Sequence, residues 1–527
     1  MQFLLHEISR PIEQSEQTLP LLAAKRLGIA PEEIQQVEIV RKSIDARSGR
    51  DLRFKYSILI GVSKKCGARL LAKGRQPYLH QELPPLCAGE EALRGSVVVA
   101  GSGPAGLFAA RLLAQHGYRP LVLERGARME QREKDVRALS ERGELNPNSN
   151  ICFGEGGAGA FSDGKLTTRI KDRRVHQVLD AFVEQGAPAQ IRYDALPHMG
   201  TEHIRRAVVG LREEILSLGG AFEYGARLCD LEQKDGRLTA VFYEQRGARV
   251  RIETGALVLA VGHSARDTFE MLHARGIALQ QKPFAMGVRV EHRQEWIDAR
   301  QYGKYAGHPE LGAATYKLTA RHGERGVYSF CMCPGGEVVC SATEPGATAV
   351  NGMSYYARDL ENANSALVVS VYPGDMPSGP LGGVQLQRQI ERVAYQAAGG
   401  YGAVAQRYAD FVRGLPSSET GKISSSYRPY IALGDIRSFL PRFLADGLQA
   451  AAQQFERKIP GFVQEGLLLG AETRTSCPLR ILRGENFCAP LDGLYPAGEG
   501  AGYAGGILSS AVDGIKVAEA IIRRYRP

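Results

Sequence analysis

Residues 96–124 constrain this chain more than any other stretch. Ser96-Val97-Val98-Val99-Ala100 is a buried-strand run, Gly101-Ser102-Gly103-Pro104-Ala105-Gly106 follows at once, and a helical pattern runs from Leu107 to His116. A second apolar run, Pro120 to Leu123, ends on Glu124, 18 residues after Gly106. Strand, G-x-G-x-x-G, helix, strand and acid in that order read as a dinucleotide-binding unit. Gly101 permits the tight turn, Gly103 lets the backbone approach a pyrophosphate, and Gly106 lets helix and strand pack closely. Pro104 and Ala105 open a helix whose free N–H groups face the phosphates. Glu124 is expected to hold ribose hydroxyls, with Arg125 beside it. A bare G-x-G-x-x-G is weak; the surrounding order carries the reading.

The far end of the chain decides which dinucleotide. Gly493-Leu-Tyr-Pro-Ala-Gly498-Glu499-Gly500 reads as strand then loop, Gly505-Gly506 follows, and a helix runs from about Ile507 to Arg523. This resembles the closing motif of two-dinucleotide-fold flavoproteins. The resemblance implies an acid at the ribityl chain and a helix N-terminus facing the N1/C2=O end of the flavin, where it stabilises negative charge. Residues 221–254 alternate like short strands, with a hairpin turn at Asp235-Gly236, and Leu257 to Val261 is a buried strand closed by Gly262. Only one G-x-G-x-x-G stands in a full unit with strand, helix, second strand and acid, so one non-covalently held FAD is expected. NAD(P)H then serves only as a transient donor, with no domain of its own.

The stretch NICFGEGGAGAFSDGKLTT, residues 150–168, contains Gly159-Ala-Phe-Ser-Asp-Gly164-Lys165, the opening of a P-loop pattern. A P-loop needs a preceding strand and Ser or Thr after the lysine. Here Asn146 to Asn150 form a turn and Leu166 follows Lys165. The glycines Gly154, Gly156 and Gly157 instead suit a loop lying beside the flavin and pyrophosphate, since small residues allow close backbone approach. Lys165 is a candidate for facing the cofactor or an anionic substrate.

The N-terminal 92 residues read as an α+β module with βαββ order and a linker: a strand at 2–8, a helix from Leu19 to Leu27, and strands Val37 to Ile44 and Leu52 to Val62 around a turn at Arg47-Ser48-Gly49-Arg50. The linker covers 83–95. Arg41 to Arg75 hold eleven Lys/Arg against two Asp, and the whole chain carries +9. Such charge admits a nucleic-acid partner, but docking with a solvated basic face is preferred. Nine scattered cysteines argue for reduced thiols and a cytoplasmic setting. No apolar run reaches the ~18 residues of a membrane helix, and the start lacks a signal peptide's basic region and cleavage site.

Residues 281–480 read as an insert that covers the flavin, between FAD-domain segments 93–280 and 481–527. Within it, Gly326 to Cys333 and Glu337 to Thr343 suggest a hairpin about Pro334-Gly335-Gly336, setting Cys340 opposite Cys331. Cys331, Cys333 and Cys340 then form three thiols on one face, able to bind a metal, exchange electrons with flavin, or simply pack; packing is preferred and no metal is assigned. Helices are expected at 354–363, 384–398 and 441–457, and Thr201 is expected to cap one reaching Leu218. His198 and His263 are proton-donor candidates, and Asn351, Arg358 and Asn362 are substrate-contact candidates. No catalytic residue is assigned.

The stretches NSNICFGEGGAGAFSDGKL, PHMGT, YSFCMCPGG, NGMSYYARDLENANSALVVSV, RKIPGF and GLYPAGEGAGYAGGI look like a large family of bacterial FAD-dependent proteins usually labelled NAD(P)/FAD-dependent oxidoreductases or dehydrogenases. The resemblance spans nearly the whole chain. It implies a glutathione-reductase-like α/β fold: a discontinuous Rossmann-like FAD domain, an inserted α+β cap domain and a small N-terminal α+β domain. It also implies FAD, and supplies no substrate. The expected function is FAD-dependent oxidoreduction of a small molecule. An RNA-modifying flavoenzyme and a non-catalytic flavin-dependent binding protein are the alternatives, and the oligomeric state is left open.

Overall fold

The structure is a computed structural model that describes residues 1–46, 51–80 and 84–527. The turn expected at 47–50 and the first residue of the linker, Leu83, lie outside the described residues.

Strands Gln2–Pro11, Ile34–Asp45 and Arg53–Val62 form an antiparallel sheet with Arg53–Val62 in the middle. The helix Leu19–Leu27 has proline in its first turn and stops at Gly28, in the left-handed conformation. A further helix, Lys64–Ala72, follows the third strand. The middle strand buries every second residue, Phe54, Tyr56, Ile58 and Ile60, as a strand with one covered face requires. This apolar layer continues without a break into Met286, Ile297, Val369 and Phe462 of the later half.

A five-stranded parallel sheet is ordered Leu494–Pro496, Leu257–Leu259, Val98–Ala100, Leu121–Glu124, Ala221–Tyr224. Its strands Leu494–Pro496, Leu257–Leu259 and Val98–Ala100 are short, apolar and fully buried because both faces are covered. Val99 and Val122 pack under the helices Pro104–Gln115 and Ile507–Arg524. Val98, Ala100 and Leu123 face the three-stranded meander Arg227–Lys234, Arg237–Gln245 and Ala248–Glu253. Asp235 and Gly236, both at positive φ, make its first turn.

A seven-stranded sheet is drawn wholly from residues 284–472, with Phe284–Arg293 and Asn362–Val371 adjacent in its interior. The chain passes between the two large sheets at Leu279–Gln281 and Leu479–Ile481, which pair antiparallel. Among the described residues no helix is long and apolar enough to cross a membrane.

Three local expectations are corrected. The 334–336 turn does not close a hairpin: Arg325–Cys333 pairs with Thr319–His322 over Arg325 to Tyr328 and with Asn362–Val371, and not with the strand after the turn. Gly336–Cys340 pairs instead with Val350–Ser354, so Cys340 lies opposite Val350 and not Cys331. Residues 354–363 are not a helix: Arg358 sits at φ 52° and Asn362 already begins a strand, a tertiary override of local propensity. Thr201 lies inside the helix Gly200–Ser217 and not at its cap; its hydroxyl donates to Ala160 O at 2.8 Å.

Candidate functional site

The two ends of the sequence meet at the carboxyl end of the parallel sheet. Gly101 turns at φ 103°, and a Cβ on Gly106 would run into the Gly101 carbonyl, so the helix Pro104–Gln115 starts directly off its strand. Gly103 is its N-cap and no side chain caps it. The helix Ile507–Arg524 shares this design: Gly506 is its N-cap, again with no side-chain cap, and a Cβ on Gly505 or Gly506 would meet nothing within 4 Å. The helices cross on small residues, since a Cβ on Gly514 would strike Ala105 O and one on Gly498 would lie 2.7 Å from Ala105 Cβ. Two sets of unpaired first-turn N–H groups therefore lie side by side, with the strand Leu257–Leu259 and Gly262 between them. Such N–H groups carry partial positive charge suited to an anion. Asp513 fixes the Gly498 loop, accepting from Gly498 N at 2.7 Å and from both Arg483 amino groups.

Glu124 is buried, and all its lone-pair directions are used. Oε2 accepts from Ser102 N and Oγ, and Oε1 from Gly126 N and Gly154 N, at 2.7–3.0 Å. It ties three glycine-bearing loops together in place of presenting a free carboxylate to a ribose. Arg125 forms a bidentate pair with Asp267 and stacks on Phe153.

The 150–168 loop lies on the phosphate-type loop: Gly156 N donates to Ser102 O at 3.0 Å, and a Cβ on Gly157 would lie 2.9 Å from Gly103 Cα. Arg132 holds it from beneath, donating to the carbonyls of Asn150, Ile151, Gly154, Glu155 and Gly157. Burial pushes the Arg132 guanidinium down to about 10. Glu155 pairs with Arg212 and accepts from Tyr224. After Lys165 the chain has no regular secondary structure until Arg174, so no helix of P-loop type follows the lysine.

Lys165, Cys331, Cys333, Glu499 and His263 gather where this loop, the insert and the C-terminal motif meet. Lys165 Nζ is enclosed without a hydrogen-bond partner, 3.7 Å from Asp163. Burial opposes its charge, but Cys333, Asp163 and Cys331 outweigh burial and hold its pKa above the usual value. Glu499 keeps 24 % of its side chain open, and burial raises its pKa to about 7. His263 Nδ1 is 3.5 Å from Glu499 Oε1 and its Nε2 has no partner. Burial, with Arg474 and Arg266 nearby, lowers its pKa to about 4. His198 is likewise lowered to about 4, by burial first; it stacks on Tyr356, with Nε2 3.1 Å from the Tyr356 carbonyl. Both are neutral at physiological pH, so neither is a charged proton donor.

The other candidates are engaged elsewhere. Arg358 pairs with buried Asp163, Asn351 accepts from Arg289, and Asn362 donates to Glu291 and Ser424 O. Cys340 packs near Thr348. In the basic N-terminal stretch, Lys42, Arg53, Lys55 and Arg69 pair with Glu16, Asp51, Glu7 and Glu33, reducing the charge offered to phosphates. Sequence reading missed Arg132, Glu155, Asp513 and Arg289, whose partners lie 15 or more residues away. It also missed Glu391, gripped by Arg266 and Arg474. Nothing local marks any of them.

The chain is 43% identical over 539 residues to a Clostridium beijerinckii protein described as uncharacterized, covering 100% of this chain and 99% of that one. Residues 283–475 match the family described as FAD-dependent protein, C-terminal domain-like. Residues 94–140 match an FAD binding domain, and 3–61 a domain of unknown function. Solved structures resemble it more distantly. Flavin-dependent brominase Bmp2 is 14% identical, with 81% of this chain and 78% of that chain covered and a TM-score of 0.38. A Rhodococcus jostii 3-ketosteroid dehydrogenase is 14% identical, with 82% and 97% covered and a TM-score of 0.32. These are too distant to speak for a shared reaction. With its FAD-binding segment, its family-specific C-terminal region and a relative matched end to end, the chain belongs to a family of FAD-dependent flavoproteins, and its cofactor is FAD.

Proposed function

We propose that the protein is an FAD-dependent oxidoreductase acting on a small molecule. The observation that carries this reading is the pair of uncapped, glycine-preceded helix N-termini set side by side at the carboxyl end of one parallel sheet. On this reading Gly101, Gly103, Pro104, Ala105 and Gly106 bring the backbone to the pyrophosphate. Gly154, Gly156 and Gly157 let the second loop lie along it, and Arg125 borders the adenosine end. Glu124 holds the loops together. Gly262, Gly498, Glu499, Gly505, Gly506 and Ile507 surround the polar edge of the flavin.

FAD supplies two-electron redox chemistry when bound; the chain supplies position and electrostatics. The N-terminus of Ile507–Arg524 favours negative charge at the edge it faces. Lys165 adds a cation that no protein acceptor satisfies. Glu499, with its raised pKa, can hold or release a proton at its carboxyl near neutral pH. With one dinucleotide unit in use, NAD(P)H acts as a passing donor.

Gly103 gives the test. Its φ is −73°, and a Cβ there would come no nearer than 3.7 Å to any other residue, at Gly157 Cα. The protein therefore leaves room for a Cβ in the space the cofactor would need. Gly103→Ala is expected to keep its circular dichroism spectrum and lose FAD affinity by about tenfold or more, ~1.4 kcal/mol. A variant that purifies with a full equivalent of FAD defeats this placement.

A further inference from the structure

Two thiols stand where the 150–168 loop, the insert and the C-terminal motif meet, and no step above uses them. Cys331 and Cys333 close the strand Arg325–Cys333, whose pairing with Asn362–Val371 slips between Phe330 and Cys333. The slip is a bulge at Cys331, whose φ of 44° is rare for a residue with a side chain. In a regular strand, residues two apart stand roughly 6.5–7 Å from each other. Here the bulge turns the chain back, and Cys333 Sγ donates to the Cys331 carbonyl at 3.4 Å. Cys331 is half-buried and Cys333 fully buried. Arg289 Nη1 lies 3.3 Å from Cys331 O and 4.0 Å from Cys333 Sγ. Lys165, with its unpartnered Nζ, is the second cation beside the pair. Backbone strain of this kind persists only where surrounding structure enforces it, and it gathers at working sites.

Resting on the oxidoreductase reading, we propose that Cys331 and Cys333 are a redox-active dithiol that exchanges two electrons with the flavin, making the substrate class thiols and disulfides. In the oxidative direction the Cys331 thiolate and the Cys333 thiol form an S–S bond. They release two electrons and the Cys333 proton, and FAD takes up both electrons and one proton to become the reduced anion. In the reductive direction the reduced flavin reopens the bond. An external disulfide is attacked by Cys331, expelling one thiolate. Cys333, losing its proton, then displaces the second thiolate from the mixed disulfide.

The surroundings set this division of labour. An interaction between the two thiol side chains, separate from the Cys333 Sγ–Cys331 O contact, lowers Cys331 to about 5, helped by Lys165 and Arg289 against burial and Asp163. The same thiol–thiol interaction and burial push Cys333 well up. Glu472 and Glu499 also face Cys331, and it contributes to raising both. An accessible low-pKa attacker with a buried high-pKa partner is the arrangement that thiol–disulfide exchange uses.

The test is an anaerobic dithionite titration of the full-length FAD-loaded protein after diamide oxidation, with peptide mapping by mass. Wild type is expected to take up about four electrons per FAD, from one two-electron flavin and one two-electron disulfide. One peptide should then contain both sulfurs joined. Cys331→Ser and Cys333→Ser should stop at about two electrons, while Cys340→Ser titrates like wild type. Iodoacetamide at pH 6 should label Cys331 first, and Lys165→Ala should slow that labelling about tenfold. A flavin-loaded wild type that stops at two electrons, with both thiols still open to alkylation after diamide, overturns the dithiol and leaves the cofactor site standing. Protein that takes up no FAD shows no flavin absorbance before titration begins, and it overturns the oxidoreductase reading together with the dithiol.

Discussion

The dinucleotide half and the insert hold their loops and strands together with different materials. Around Gly101–Gly106 and Gly498–Ile507 one partner in each contact is backbone: uncapped helix ends, close glycine crossings, a loop laid flat on another, and backbone N–H and carbonyl groups held by Glu124, Arg132 and Asp513. In the insert they are made by charged side chains taken out of water. Arg289 and Glu472 form a buried pair, and Glu391 lies between Arg266 and Arg474 while also accepting from Thr473. The backbone-built half depends on what is absent from a residue, and the side-chain-built half on a partner far away in the chain. Tolerance to substitution should differ accordingly.

The largest effect is expected from Glu391→Ala. It leaves two buried guanidinium groups, one from each half, without their shared carboxylate. Removing one partner of such a cluster destabilises by about 3–5 kcal/mol, read as a lower thermal midpoint with loss of flavin as the halves separate. A midpoint unchanged from wild type would mean that side-chain pairing does not hold the insert in place.

A smaller, pH-dependent effect is expected at Glu499. Burial raises its pKa from 4.5 to about 7, so the native state holds the proton more tightly than the unfolded chain. That contribution to stability is complete below about pH 4.5 and is lost as pH rises through about 7. The flavin-free protein should lose stability over this window, and Glu499→Gln should flatten the slope. Parallel profiles for variant and wild type would place the titrating group elsewhere.

The smallest effect on folding is expected from Gly505→Ala. Its Cβ meets nothing within 4 Å of protein, so folding should change by less than about 1 kcal/mol. Any larger fall in FAD affinity then reports the cofactor's own contact, by comparison with Gly106, where a Cβ meets the Gly101 carbonyl in the protein alone. Isothermal titration of the flavin-free protein separates the two.

Much of the first half was legible because its constraints are local. A glycine at each tight approach, an apolar run before it and a helix after it are written within 30 residues, and the same logic located the closing helix at Ile507. The errors fell where neighbours in space outvoted neighbours in sequence. Cys340 was set opposite Cys331 because a turn separates them, yet Arg325–Cys333 pairs with Asn362–Val371 and Cys340 with Val350. Residues 354–363 carry helical spacing, but Arg358 turns left-handed where Gly335 packs on its carbonyl. Glu124 was read as a ribose acceptor, and what no local pattern showed is that its oxygens also tie Ser102, Gly126 and Gly154 together.

By itself the sequence determined that FAD is bound and that two distant segments complete one sheet, because backbone geometry restricts which residue types can stand at such turns. Only the tertiary structure decided which charges are paired, which thiols are neighbours and which lysine has no acceptor. Burial and electrostatics depend on everything within a few ångströms, and for Lys165, Cys331 and Glu499 those neighbours come from segments more than 150 residues apart.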